Sequence, residues 1–302
     1  MPVLLPLIAV TAVWGVTFVQ VKDAVAIYPL FAFLAVRFAI ASTTLAVPAA
    51  RRVRGLGQRG LAAGALLGML LAAGYALQTA GLERTTVSST GFVTGLYVVL
   101  TPLFGLAFFR TRVGLEVWGG VVLAVIGLAM LSGVQAGSTY GDALVLASAA
   151  AQALQIVGVE RFASRYDAIA LTFVEMIVSF AVFLVIALAI GDLGVPRGRT
   201  VWGALLVTGV FASALAYLVQ VWAQRRMSAA RIAIVFSLET VFAGLFGFVL
   251  AGDRLGALGW GGCALILAGI VLAEPAAAGV LRRLVGGGGG GRDGTVAAAS
   301  DD

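Results

Sequence analysis

Apolar residues fall in long blocks separated by short polar breaks, with neither the alternation of a half-buried strand nor the stripe of a surface helix. Ten such blocks occupy residues 3–21, 30–50, 61–81, 86–109, 115–133, 141–160, 168–190, 202–222, 229–250 and 257–274. Each is close to the roughly 20 residues a helix needs to cross a hydrocarbon core of about 30 Å. Backbone N–H and C=O groups cannot remain unpaired in lipid, so blocks of this size predict helices. The pattern therefore predicts an all-α integral membrane protein with ten transmembrane helices. Residues 3–21 have no basic residue ahead of their apolar stretch and no small-residue cleavage pattern ahead of a polar domain. They read as a retained first span and not as a secretory signal.

The blocks are not independent. Shifted by 142 residues, Tyr75 and Gln78 fall on Tyr217 and Gln220, Leu103-Phe104-Gly105 on Leu245-Phe246-Gly247, and Trp118-Gly119-Gly120 on Trp260-Gly261-Gly262. Arg112 likewise meets Arg254 and Gly127 meets Gly269, while a shift of 138 brings Arg37 onto Glu175. Repetition at a nearly constant offset marks an internal repeat. With five helices per copy the second must enter the membrane in the opposite sense. This predicts two inverted five-helix repeats, residues 1–137 and 138–278. Such symmetry supports alternating access, because each half can take up the conformation of the other. Residues 279–302 are different material: the unbroken glycine run 286–291 and its small and acidic neighbours cannot bury apolar area, and disorder is expected there.

Composition agrees with a bilayer as the solvent. Of 302 residues, 61% are hydrophobic and 11% charged, and mean hydropathy is +1.06, whereas soluble domains carry about 25% charged residues. The net charge of +6 would suggest nucleic acid in a soluble protein, but here it lies in short loops, so nucleic acid is not an expected partner. Arg51, Arg52, Arg54, Arg59, Arg110, Arg112, Arg161, Arg165, Arg225, Arg226, Arg231, Arg282, Arg283 and Arg292 fall on one face. Lys22, Arg84, Arg197, Arg199 and Arg254 fall on the other. The positive-inside rule then predicts a cell-membrane protein with both termini in the cytoplasm. Cys263 is the only cysteine and histidine is absent, so a Cys/His metal site and an intrachain disulfide are excluded, and no cofactor is expected. Lys22 is the only lysine, which excludes a GxxxxGK[ST] phosphate loop. No HExxH or paired-aspartate motif occurs, and an enzyme is not expected.

Several short motifs resemble one family. Ala12-Val13-Trp14-Gly15 with Phe18, Leu34-Ala35-Val36-Arg37-Phe38, Gln78-Thr79-Ala80-Gly81-Leu82, Thr94-Gly95-Leu96-Tyr97-Val98-Val99 and Thr101-Pro102-Leu103 carry the likeness in the first half. Ser237-Leu238-Glu239, Gly252-Asp253-Arg254-Leu255 and Gly262 through Gly269 carry it in the second. In this order they resemble the drug/metabolite transporter superfamily, of the EamA type with ten spans and two repeats, over residues 3–274. The resemblance implies a secondary carrier of small metabolites such as amino acids or related amphipathic compounds, with export the commoner direction. Where the family's second repeat usually has Glu-Pro, this chain has Glu239-Thr240, so the resemblance predicts no proline kink in span nine. Its usual later Glu is here Asp253.

A charge at the centre of a span costs roughly 2.5–3.5 kcal/mol on insertion scales, so its retention points to function. Arg37, Glu175 and Glu239 are the charges of this kind, and the first two, at related positions, are candidates for a pair across the repeats, for function or for helix register. Arg37, near its span's start, could instead snorkel to the interface. Glu239, mid-span among apolar neighbours, is the candidate for proton uptake, which makes the proton a candidate coupling ion. Trp14, Tyr75, Gln78, Tyr97, Gln152, Gln155, Tyr217 and Gln220 supply the remaining polar surface, either as interhelical hydrogen bonds or as walls of a substrate pocket. Pro102 is a candidate hinge in span four, with a static kink as the alternative. Gly64 and Gly68, Gly91 and Gly95, and Gly256 ahead of 259–262 are expected to let helix backbones approach closely. The expected partners are a small-molecule solute and the lipid bilayer, and no oligomer is required. A channel or lipid scramblase on the same fold is the alternative function.

Overall fold

The computed structural model describes residues 3–82, 84–85, 87–132, 138–246, 249 and 256–273, and every regular element among them is helical. The Gly252–Leu255 motif, with Asp253 and Arg254, and the tail 279–302 lie outside the described residues. The first half comprises α1 (Leu4–Val25), α2 (Leu30–Ala49), α3 (Gly57–Leu82), α4 (Val87–Gly95), α5 (Tyr97–Phe109) and α6 (Leu115–Ser132). The second comprises α7 (Thr139–Ala163), α8 (Ala168–Ile190), α9 (Arg199–Leu206), a π-helical stretch (Val207–Leu215), α10 (Ala216–Gln224), α11 (Ala229–Phe236), α12 (Leu238–Phe246) and α13 (Ala257–Ala273).

Among the described residues seven helical stretches are long and apolar enough to cross a membrane, four of them compound: Val53–Gly81, in which a 3-10 helix (Val53–Leu56) leads into α3, Ser89–Phe109, Arg199–Gln224 and Ala229–Phe246. Leu4–Thr17, Leu115–Leu131 and Ala257–Ala273 are apolar but shorter. At ~1.5 Å per residue the 17 residues of α13 extend about 26 Å, a mismatch that bilayer thinning can absorb. Polar caps set the starts of the second half's long helices. Asp167 accepts from the Ala170 N–H at 3.0 Å ahead of α8, and Ser138 accepts from the Gly141 N–H at 3.4 Å ahead of α7. Gly191, at φ 74°, closes α8 in the left-handed region. Leu66, Met69, Val122, Ile126, Val185, Leu188, Leu267 and Val271 are exposed on the outer surface, where a lipid solvent and not water suits them.

Helix interruptions occur at corresponding places in the two halves. The Ser89–Phe109 stretch breaks at Leu96 and the Ala229–Phe246 stretch at Ser237. Neither break is a proline. Pro102 sits inside the continuous helix α5, more than a turn beyond the interruption. In the second half the Ser237 hydroxyl donates to the Ile234 carbonyl, drawing an acceptor out of the helical ladder. Span nine is thus interrupted without the Glu-Pro pair.

Glycines hold the halves together through matched contacts. A Cβ on Gly120 would lie 2.7 Å from the Gly269 carbonyl oxygen, and one on Gly269 would lie 2.7 Å from that of Gly120. Gly127 and Gly262 stand in the same reciprocal relation, at 2.6 and 2.5 Å. Helices α6 and α13 therefore cross antiparallel in backbone contact, and the shift of 142 exchanges one glycine pair for the other. A second match links α3 and the π stretch. Gly68 abuts the Glu175 carbonyl and the Val178 side chain, while Gly209 abuts the Arg37 carbonyl and the Ile40 side chain. Those targets are 138 residues apart in each case. Gly64 packs on Val174 and Gly95 on Leu128, as expected, but nothing lies within 4 Å of a Cβ on Gly91 or Gly256. Gly91 is exposed and Gly256 stands exposed ahead of α13, so neither meets a neighbouring helix.

Candidate functional site

Three elements bring the intramembrane cation to its place. Arg37 projects from α2 with 6% exposure, its Nε donating to Ser213 Oγ at 2.8 Å and its Nη2 to the Tyr75 hydroxyl at 3.1 Å. Its guanidinium also lies over the Tyr75 ring, 5.1 Å from the centroid. Ser213 stands in the π-helical stretch, where the wider turn carries side chains out of ordinary helical register. Such π segments recur at functional positions. The same stretch offers the Ala212 carbonyl, which accepts from the Trp14 indole N–H at 2.8 Å. Trp14 packs edge-on against Phe236 at 4.9 Å and tilts against Tyr217 at 5.8 Å.

Tyr217, 7% exposed, hydrogen-bonds Tyr75 and lies within electrostatic reach of both Arg37 and Glu175. Tyr75 and Tyr217, matched by the shift of 142, therefore touch. Tyr97 and Glu239 are matched by the same shift, and they too stand within electrostatic reach of each other. Both follow directly on the helix interruptions, Tyr97 immediately after Leu96 and Glu239 two residues after Ser237. Arg37 is within reach of Glu239 as well.

Glu175 has another environment. It is 0% exposed on α8, and its Oε1 accepts from Gln155 Nε2 at 2.6 Å. The Gln220 amide donates to both Gln155 Oε1 and Gln224 Oε1 at 3.0 Å, and Gln224 donates to the Ile156 carbonyl at 2.7 Å. This ladder joins α7, α8 and α10. Two of its buried acceptors, Glu175 Oε2 and Gln220 Oε1, have no hydrogen-bond partner. Arg37 and Glu175 do not pair with each other: Arg37 donates to Ser213 and Tyr75, and Glu175 accepts from Gln155.

The remaining expected residues stand nearby or aside. Gln78 donates to Thr94 Oγ1 at 3.0 Å, tying α3 to α4. Gln152 donates to Ser148 Oγ at 3.1 Å, and Ser148 to the Gly74 carbonyl at 2.7 Å, so Gln152 supports the α3–α7 contact. Pro102 lines a cavity of about 270 Å³ with Thr101, Arg112, Glu116, Glu160 and Arg231. This cavity lies between α5 and the start of α11, one helical turn from Tyr97. Ser213, Gln224 and Phe236 were not singled out from the sequence. Gln224 could have been found by its i+4 spacing from Gln220; Ser213 and Phe236 carried no signal.

Comparison with known proteins places this arrangement. The EamA-like transporter family matches residues 1–133 and again 139–273. The chain belongs to the EamA-like transporter family. An uncharacterized transporter of Archaeoglobus fulgidus is 31% identical over 272 residues, 89% of this chain and 85% of the relative. The uncharacterized transporter YcxC of Bacillus subtilis is 25% identical over 273 residues, covering 85% and 88%. A solved crystal structure superposes with a TM-score of 0.77 at 18% identity, covering 92% of this chain and 98% of that one, a likeness of fold alone. This EamA-type chain is accordingly a multi-pass membrane protein of a transporter family.

Proposed function

We propose that this EamA-type protein is a carrier that moves a small amphipathic metabolite, of the amino acid class or related to it, by alternating access. In this reading its ten helical stretches all span the membrane, residues 1–137 and 138–278 are inverted repeats, and both termini face the cytoplasm. The observation that carries it is that repeat-matched residues stand together: Tyr75 hydrogen-bonds Tyr217, and Tyr97 lies within electrostatic reach of Glu239. Residues related by an approximate two-fold axis can touch only close to that axis. The reciprocal glycine contacts of α6 with α13 support the same axis. An inverted repeat with a polar centre on its axis can present that centre to either face by exchanging the conformations of its halves.

The chemistry of the centre favours a solute with an anionic or strongly accepting group and an apolar body. Arg37 donates to the neutral hydroxyls of Ser213 and Tyr75, leaving its full charge for an incoming acceptor. Trp14, Phe236, Tyr75 and Tyr217 supply flat apolar surface beside it. The cavity beside α5 is lined by Arg112 and Arg231, which the charge distribution assigns to the cytoplasmic face, and in this reading it is the approach of a solute to be exported.

The test is flux in proteoliposomes with radiolabelled amino acids. A carrier gives saturable uptake and accelerated exchange when unlabelled solute is preloaded. Flux that rises linearly with concentration and shows no counterflow would indicate a channel or scramblase.

A further inference from the structure

The two repeat-matched charges are held in unlike ways. Arg37 stands among hydroxyls and aromatic rings at the centre of the candidate site, whereas Glu175 has no exposure and no cation on it. A buried carboxylate without a counter-charge is strongly disfavoured, since desolvation removes water and nothing replaces it. The groups that face Glu175 are Gln155 from α7, which donates to its Oε1, and Tyr217 from α10, which lies within electrostatic reach. The Arg37 guanidinium is spent on Ser213 and Tyr75 and is within reach of the other carboxyl, Glu239.

Hydrogen-bond accounting points the same way. Both N–H groups of the Gln220 amide are used, on Gln155 and Gln224, and Gln155 donates to Glu175 Oε1. Glu175 Oε2 and Gln220 Oε1 remain as buried acceptors with no donor. An ionised carboxylate only accepts, so it would leave both in deficit. A protonated carboxyl contributes the donor that the ladder lacks.

We propose that Glu175 is a proton site, occupied on Oε2 in this conformation, with Gln155 fixing Oε1 as the acceptor. The proton is taken from hydronium, leaving water and a neutral acid. The coupling role rests on the carrier reading. When the halves exchange conformations, Glu175 moves to the setting matched to that of Arg37, beside the Tyr217 hydroxyl at the solute centre, and the proton is released there to water. Gln155, Gln220 and Gln224 position the carboxyl.

Infrared difference spectroscopy of the full chain in lipid nanodiscs, titrated from acid to alkaline pH, reads the protonated carboxyl directly and needs no solute. The expected result is a protonated-carboxyl band at neutral pH that disappears at alkaline pH, is lost in Glu175→Gln and survives in Glu239→Gln. Glu175→Asp keeps a carboxyl and should shift the band, so a poorly folding Gln variant does not end the test. A wild-type spectrum without the band at neutral pH, a band that survives Glu175→Gln, or one unmoved in Glu175→Asp overturns the proposal. Because no transport is measured, absence of the band leaves the carrier reading standing, and absence of counterflow leaves the proton site standing.

Discussion

Single side chains at the centre of this protein divide into those legible in the sequence and those that only folding reveals. Arg37, Glu175 and Glu239 were visible because a charge among apolar residues is costly and therefore informative. Their partners were not visible, since opposite charges at matched positions suggest a pair, yet Arg37 turns to Ser213 and Tyr75 instead. Ser213 is an ordinary small residue until the π-helical stretch aims it at the guanidinium. If Arg37 serves the solute and not helix register, Arg37→Met should abolish saturable uptake while leaving the fold nearly as stable. Its loss strands two hydroxyls but relieves the burial of a charge, for a net change in unfolding free energy below about 2 kcal/mol. Uptake assays alongside denaturant titration in mixed micelles check both halves of that statement. A collapse of stability with proportionate loss of uptake would return Arg37 to a structural role.

Helices as units were read well from hydrophobic blocks, and their interiors poorly. The blocks locate the helical stretches, because burying an unpaired backbone in lipid leaves no alternative. The interruptions at Leu96 and Ser237 and the π stretch are not readable from apolar content, which does not change across them, and Pro102 lies inside α5 and not at the interruption. Glycine motifs misled in part for a related reason. A small residue permits close approach but does not bring a neighbour to it, as Gly91 and Gly256 show. The structure separates these cases by mutation. Gly127→Ala places a methyl 2.6 Å from the Gly262 carbonyl oxygen and should cost about 1–3 kcal/mol through forced separation of α6 and α13. Gly91→Ala meets nothing within 4 Å and should be neutral or stabilising by up to about 1 kcal/mol, from lost unfolded-state entropy. Denaturant midpoints of the two variants, compared with the parent, measure the contrast.

At the scale of the molecule, the shift of 142 was the most informative sequence feature, since it matched Tyr75 with Tyr217. That the matched residues come together is a matter of packing about an axis, which no offset states. The central claim is that this axis is the pivot of alternating access, and labelling from the two faces tests it most directly. Thr101 on α5 lines the cavity, and the shift of 142 places Ala243 on α12 as its counterpart. With Cys263 replaced by Ala, Thr101→Cys and Ala243→Cys are prepared separately in oriented vesicles and treated with a membrane-impermeant maleimide from either side. The account predicts that Thr101→Cys reacts only from the Arg112 and Arg231 face and Ala243→Cys only from the opposite face. It also predicts that a condition raising the reactivity of one lowers that of the other. Reaction of either position from both faces, or reactivities that rise together, would contradict it.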